Sequence, residues 1–530
     1  MNGFERRFVS NLVPANLKLL TSLLVAVAVV NSATLGYDGS VMNGLLILPS
    51  YTEYFNLTTA TTGLNTAAMW MGQIVGSLLM QPAADLLGRK RAVIAAAILT
   101  IVGVVLQAAS QNIGMFVGAR IIVGIGQAIS NAAAPTLLAE LLPARLRGRV
   151  LGIFFSCFYL GSLLSSIINY GSQDIQSTWA WRLPSLLQFI PSLIALCLLP
   201  FIPESPRWLI SKGHDAHAQE VLCIMQGAGI VDMHKAAVEL RTIKAIMAKE
   251  EEAYPRNAWR ELASTPANRK RLFVLVAFGS MINTFGNFVI SFYLSKILDQ
   301  AGVTDSNSQL QINVGISCWC FIVALTGSFL LDVLGRRKQT LACIAGMVVT
   351  LFMIGSLIKG IHNSTTTLPR QENLSDKIKT VFGESENESG IYATIAVIFL
   401  FQGFYSFSIT PMTSVYPTEI SQYKLRSAGI AIFRFFDCGF GLLCSFAMSY
   451  AMADIGWKFY LVNASWDIIF GLTVFLFFPE TKGLELEEIA AFFDGPEIVE
   501  AARERDSSPH GSIDSDKRAP TVKSQLEPNA

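Results

Sequence analysis

Asp38 stands in the stretch Ala33-Thr-Leu-Gly-Tyr-Asp-Gly-Ser-Val41, in the middle of an apolar run from Leu19 to Leu48. A carboxylate near the centre of a bilayer costs roughly 2.5–3.5 kcal/mol on insertion scales, so it is kept there for a purpose. Arg120, which opens Arg120-Ile-Ile-Val-Gly-Ile-Gly126, falls in a comparable setting. A buried charge is tolerated beside a partner, and these two are the natural pair. A carboxyl that meets a guanidinium in one arrangement and takes a proton in another is the element a proton-driven device needs. The alternative is a static structural pair.

Other charges recur at the ends of apolar runs. Asp85 precedes Arg89 and Asp332 precedes Arg336 by four residues; Glu140 precedes Arg147 and Glu419 precedes Arg426 by seven. Such pairs can form charge-assisted bonds between neighbouring helix ends, or serve only to fix topology and cap helices. Other chemistry is missing from the sequence. Gly124-Ile-Gly126 lacks the Lys-Ser/Thr of a phosphate loop, and no strand precedes it. The five His lie in predicted loops without zinc-like clusters, and seven of the eight Cys lie in apolar runs, as small fillers do. No catalysis, metal or cofactor is expected, and a net charge of +1 gives no basis for binding nucleic acid.

The elements that carry these residues follow from composition. Of 530 residues, 52% are hydrophobic and 15% charged, against about 25% charged in soluble domains. Runs long enough to span a bilayer fall at about 19–48, 62–84, 91–110, 113–141, 150–172 and 182–202, then at 272–298, 309–333, 340–359, 391–416, 427–452 and 457–479. The first run lacks the short core and cleavage site of a signal peptide and is expected to be retained. Lys and Arg crowd the short even-to-odd loops, at Arg89-Lys90-Arg91, Arg145/Arg147/Arg149, Arg336-Arg337-Lys338 and Lys424/Arg426. By the positive-inside rule both termini and the segment 203–271 are expected in the cytoplasm. The glycosylation sequons at Asn56, Asn363, Asn373 and Asn387 all fall on the predicted outer side.

The chain also repeats itself. Asp85-Leu-Leu-Gly-Arg-Lys90 returns 247 residues later as Asp332-Val-Leu-Gly-Arg-Arg337. Glu140 returns 279 residues later as Glu419, and Pro203-Glu-Ser-Pro-Arg207 returns loosely, 276 residues later, as Pro479-Glu-Thr-Lys-Gly483. The offset grows by about the length of the polar loop 360–390. This is a duplicated six-helix unit with a loop inserted in the second copy, an arrangement used for alternating access.

These motifs in this order, with Gly36-Tyr-Asp-Gly39 before them, resemble the sugar porter family of the major facilitator superfamily, in particular its fungal hexose and lactose permease-like members, over about 10–490. The resemblance implies an all-α integral membrane fold of twelve transmembrane helices in two six-helix pseudo-repeats. The expected organisation is a cytoplasmic N-terminus (1–18), a six-helix bundle (19–202), a cytoplasmic helical linker (203–271), a second bundle (272–479) and a tail (480–530) disordered from about 495. The implied activity is secondary active transport of a sugar or related polyhydroxylated molecule across the plasma membrane, expected as proton symport by a monomer. A facilitative carrier, a carrier of a non-sugar metabolite and a nutrient sensor are the alternatives.

Residue by residue, the resemblance makes Asp38 and Arg120 the proton-coupling pair. It makes Asp85, Arg89, Glu140, Arg147, Asp332, Arg336, Glu419 and Arg426 a latch that holds the outward-open state. Family members bring amides to the substrate from helix seven, here Asn283 and Asn287; amides suit sugars because each donates and accepts. The helix-five Gln of glucose carriers aligns to Phe155, the helix-ten aromatic to Ser414 and the helix-eleven Asn to Asp437, one turn after Arg434. Two added charges and fewer amides weaken the case for plain glucose. Arg434 and Asp437 either neutralise each other, or Arg434 reads a carboxylate or Asp437 a basic or polyhydroxylated ligand.

Overall fold

The computed structural model describes residues 7–14, 16–142, 150, 154, 156–226, 230–253, 262–301, 303–366, 388–421, 425–482 and 492–493. Every regular element among them is helical, as apolar runs must be where lipid offers the backbone no hydrogen bonds. The first six spans are Leu17–Ile47, Thr59–Leu87, Arg89–Ala108, Ile113–Leu141, Phe158–Ser172 and Trp179–Phe201. Spans eight to twelve are Ser306–Leu334, Arg336–Thr366, Glu388–Ile420, Arg426–Asp454 and Lys458–Phe477. Among the described residues nine spans are long and apolar enough to cross a bilayer on composition alone. The second, fifth and seventh fall short: the second dilutes its run with Asn65, Gln73 and Ser77, the fifth is described over 15 residues, and the seventh is broken.

Within the first half the second and third spans pack on the fourth, and the first on the fifth; the halves meet where the second span lies on the eleventh and the fifth on the eighth. Each half has its own apolar core. Leu78, Phe329 and Ile469 are exposed on the outer wall, which suits contact with lipid.

The internal repeat has a structural meaning at the end of the bundle where the basic loops lie. Gly88 (φ 97°) and Gly335 (φ 95°) turn the chain between spans two and three and spans eight and nine. A Cβ on Gly88 would stand 2.6 Å from a Glu204 carboxylate oxygen, and one on Gly335 2.7 Å from Glu480. Glu204 accepts from the Lys90 N–H (2.9 Å), and Glu480 from those of Arg336 (2.8 Å) and Arg337 (3.1 Å). Each carboxylate thus caps the positive end of the following helix. The next residue in each motif repeats too: the Ser205 hydroxyl donates to Glu140, and the Thr481 hydroxyl to Glu419 at 2.6 Å.

The seventh span departs from its sequence reading as one run. It forms Pro266–Thr284, Asn287–Phe292 and Leu294–Gln300, parted first at Gly286 in the left-handed region (φ 84°) and again at Tyr293 (φ −124°). The carbonyls freed by the break find side-chain donors: Tyr405 Oη donates to Ile282 O (3.3 Å) and Trp466 Nε1 to Thr284 O (2.9 Å). Between the halves lie Pro206–Ser211, Asp215–Gln226 and Ile230–Ala253. Trp208 donates to Asp85 O (3.0 Å), and the Glu220 carboxylate accepts from the backbone N–H groups of Arg7 (3.3 Å), Phe8 (2.9 Å) and Val9 (3.2 Å). These helices are joined in this way to the first half and to the N-terminal segment.

Candidate functional site

Two adjoining cavities separate the halves. One, of about 490 Å³, reaches from a mouth at the basic end, between Asp85 and Arg89 on one side and Arg336 and Glu419 on the other, inward to Gln73 and Asp437. The other, of about 240 Å³, is central and shares Gln73, Arg434 and Asp437 with the first. At the opposite end the halves are tied. Asn43 Nδ2 donates to Asn313 Oδ1 (2.7 Å), Asn313 Nδ2 to Ser166 Oγ (3.1 Å) and Gln173 Nε2 to Asn307 Oδ1 (3.0 Å). The access path therefore runs from the basic end.

Asp38 is fully buried, and its direct partner is an amide. Gln127 Nε2 donates to Asp38 Oδ2 at 2.7 Å. The Gln127 oxygen accepts from Gln73 Nε2 (3.0 Å), and the Gln73 oxygen from Cys438 Sγ (3.6 Å). A hydrogen-bonded chain thus leads from the first span through the fourth and second to the eleventh, in the other half. Arg120 is also buried and donates to Met69 Sδ at 3.6 Å. Its charge acts on Asp38 through space, but the expected direct ion pair is not formed here. The reason is register: Arg120 and Gln127 are about 10 Å apart along one helix axis, and Asp38 is level with Gln127.

On the facing side Arg434 Nη1 meets Asp437 Oδ2 at 3.1 Å, and Asn283 Nδ2 donates to both Asp437 Oδ1 and Asp437 O at 2.8 Å. Of the two sequence readings, the self-neutralising pair is the arrangement present. Asn283 and Asn287 both line the central cavity, and Asn287 Oδ1 accepts from Ser291 Oγ (3.3 Å). The ion pairs seen at the basic end join Arg89 to Asp85 (3.5 Å), Arg89 to Glu140 (3.8 Å) and Arg336 to Glu419 (2.9 Å), each within one half. Asn56 is exposed at the opposite end, after the first span. Phe155, Arg147, Asn373 and Asn387 lie outside the described residues, as do the side chains of Asp332, Ser414, Arg426 and Asn363.

The sequence reading missed most of the cavity's polar lining. Asn43, Gln73, Gln127, Asn313 and Gln402 add amides from spans one, two, four, eight and ten, and Trp70, Tyr159 and Tyr405 add aromatic surface. The cavity is therefore amide-rich, against the expectation of fewer amides. The available signal was polar side chains inside apolar runs, the same signal that singled out Asp38.

Two helical halves enclosing a polar cavity open at one end are the architecture of a membrane carrier. The chain belongs to the sugar porter family of the major facilitator superfamily: the model of the sugar (and other) transporter family matches residues 24–493. A glucose transporter of Aspergillus flavus is 28% identical over 486 residues, covering 89% of each chain. A probable polyol transporter of Arabidopsis thaliana is 26% identical over 501 residues, covering 92% of this chain and 97% of its own. Among solved structures, the proton:xylose symporter XylE bound to 6-bromo-6-deoxy-D-glucose superposes with a TM-score of 0.71 at 21% identity, over 90% of this chain and 99% of that one. The inward-open xylose transporter XylE from E. coli gives 0.69 at 21% identity, over 89% and 99%. The protein is a multi-pass membrane transporter of the sugar porter type.

Proposed function

We propose that the chain is a proton-coupled symporter of a neutral polyhydroxylated molecule, a sugar or polyol, and not an enzyme. The observation that carries this reading is Asp38: a fully buried carboxyl bonded to Gln127, which with Gln73 belongs to the cavity wall. The amide-rich lining matches hydroxyl groups, and the closed Arg434–Asp437 pair leaves the wall without net charge there. Two relatives are transporters of glucose and of polyols by name. The basic loops set the cavity mouth toward the cytoplasm, so the arrangement described is inward-facing, at the plasma membrane, with both termini inside. In this state Asp38 and Arg120 stand apart, and in the outward state they pair. The charge pairs at the basic end then act as a latch between the halves.

A membrane potential of about 100 mV supplies roughly 2.3 kcal/mol per charge and one pH unit about 1.4 kcal/mol. One proton therefore supports accumulation of order 500-fold. The test is uptake of labelled sugars, acids and polyols in transporter-null cells, with and without a protonophore, by wild type and Asp38→Asn. Wild type is expected to concentrate a sugar or polyol and to lose this with the protonophore, and Asp38→Asn to equilibrate only. Uptake that never exceeds the external concentration and ignores the protonophore would make the protein a facilitator. Glycosidase should change the mobility of wild type, and replacing Asn363, Asn373 and Asn387 should remove most of that change; a C-terminal tag open to protease on intact cells overturns the orientation.

A further inference from the structure

A second intramembrane carboxyl lies outside this scheme. Asp467, midway along the twelfth span, is fully buried. Its Oδ2 accepts one long bond from Asn463 Nδ2 (3.4 Å), and its Oδ1 has no partner. An ionised carboxylate calls for several donors or a cation, and in hydrocarbon surroundings the protonated form is the one that fits so bare a site. A neutral acid also suits its one neighbour, since its O–H can donate to the Asn463 amide oxygen once that amide is turned about its axis.

The charged groups on the elements packed against this span stand at their ends. They are Arg269, Lys270 and Arg271 on Pro266–Thr284, and Arg336, Arg337, Lys338 and Lys359 on the ninth span. Lys458 opens the twelfth span itself, and Lys359 lies over the Trp457 ring at 5.0 Å. The nearby phenols are Tyr460, buried on the same span, and Tyr405, engaged with Ile282 O.

The site has a second feature, its place in the fold. Asn463 Nδ2 lies 2.5 Å from where a Cβ on Gly286 would stand, and Trp466 donates to Thr284 O at 2.9 Å. The residues that flank Asp467 thus seat the twelfth span on the break in the seventh, and that break carries Asn283 and Asn287 into the central cavity. We propose that Asp467 is a second proton-binding carboxyl of this transporter. It carries one proton while the twelfth span is seated on the break, and exchanges that proton with water when the break rearranges. No other bond changes.

The proposal does not depend on the role of Asp38, and its test is separate. Infrared spectra of the purified, reconstituted full chain at neutral pH are compared for wild type, Asp38→Asn, Asp467→Asn and Trp466→Phe. Asp467→Asn is isosteric with the neutral acid and is expected to fold. A protonated-carboxyl carbonyl band is expected in wild type, retained in Asp38→Asn and lost in Asp467→Asn. Its shift on transfer to heavy water should be slow in wild type and up to about tenfold faster in Trp466→Phe, which removes the indole donor to Thr284. Identical carboxyl bands in wild type and Asp467→Asn would show that Asp467 is ionised and overturn the site. A band lost in Asp467→Asn but exchanging at the same rate in Trp466→Phe would overturn its link to the break.

Discussion

Gln127 donates to the Asp38 carboxylate at 2.7 Å, and its oxygen is held in turn by Gln73 at the cavity wall. In the proposed coupling, a substrate that engages the Gln73 amide would pull on the donor to Asp38, so that substrate and proton would share one hydrogen-bonded chain. Gln127→Leu should leave the protein folded and able to bind substrate, yet move the pH profile of uptake and weaken accumulation. A hydrogen bond to a charged group contributes about 1.5–3 kcal/mol, so the shift should be about one pH unit or more. Uptake measured from acid to alkaline pH checks this: a profile superimposable on wild type removes Gln127 from the coupling chain.

Arg120 is a different kind of partner. It is buried with Asp38 in the same half but reaches it only through space. Arg120→Ala removes the cation that balances a carboxylate in a low-dielectric interior, whereas Asp38→Asn removes the charge that needs balancing. The expected order is that Arg120→Ala abolishes both accumulation and substrate exchange, while Asp38→Asn keeps exchange. Counterflow in proteoliposomes distinguishes them, and exchange that survives in Arg120→Ala contradicts the pairing of the two charges at any stage of the cycle.

The helical class, the span count and the two halves were legible because lipid permits so few backbone solutions that apolar runs and basic loops nearly determine the topology. Asp38, Arg120, Asn283 and Asn287 were legible as polar intruders, and the structure brings all but Arg120 to the cavity or its hydrogen-bonded wall. The break at Gly286 was hidden because the run 272–298 is long enough to span as one helix despite Asn283, Thr284 and Asn287, and the freed carbonyls are met by Tyr405 and Trp466 from far along the chain. The caps by Glu204 and Glu480 were hidden for the same reason: the repeat was visible, but its 114-residue reach from Glu204 to Lys90 was not. Gln127 was missed because a neutral amide on an apolar helix draws less notice than a charge.

Asn283 and Asn287 differ in what they hold. Asn283 donates twice to Asp437, whereas Asn287 is hydrogen-bonded to the hydroxyls of Ser291 and Tyr405. Asn287→Ala should raise KM roughly 2- to 10-fold at unchanged surface level, the value of one hydrogen bond to a buried hydroxyl. Asn283→Ala should do more, because it also releases the carboxylate of Asp437. Initial-rate kinetics on both variants, normalised to surface protein, provide the test; equal, wild-type KM values in both would place the substrate elsewhere.

The helix caps make an ordered prediction about stability. Glu480 serves the N–H groups of Arg336, Arg337, Thr481 and Lys482, and Glu204 those of Lys90 and Ser205. Losing a side-chain cap costs about 0.5–2 kcal/mol, and the loss of negative charge at a helix N-terminus adds to it. Glu480→Ala should therefore lower the thermal midpoint of the purified protein more than Glu204→Ala, with both below wild type. The reverse order would mean that the number of N–H groups served does not set the loss, and midpoints equal to wild type in both would mean that these carboxylates do not act as caps.

The N-terminal segment should respond to pH. Phe8 stacks with His217 (ring centroids 6.0 Å apart), and Glu220 clasps the N–H groups of Arg7, Phe8 and Val9. Burial holds the His217 imidazole below its ordinary value of 6.5, an effect that Glu220 partly offsets and that His214 reinforces; Glu204 and Arg91 act more weakly in opposite senses. A histidine with a lowered folded value favours the docked state while neutral. That contribution is present above about 6.5 and is lost as the pH falls through it, because the undocked segment takes up the proton more readily. Hydrogen exchange at the amides of residues 7–9, corrected for intrinsic rates, should be slow near pH 7.5 and several-fold faster near pH 5.5. In Glu220→Ala it should be fast at both, because the three N–H groups lose their acceptor. Equal protection of the wild-type segment at the two pH values would show that His217 does not govern the docking, and unchanged protection in Glu220→Ala would show that the carboxylate does not hold the segment.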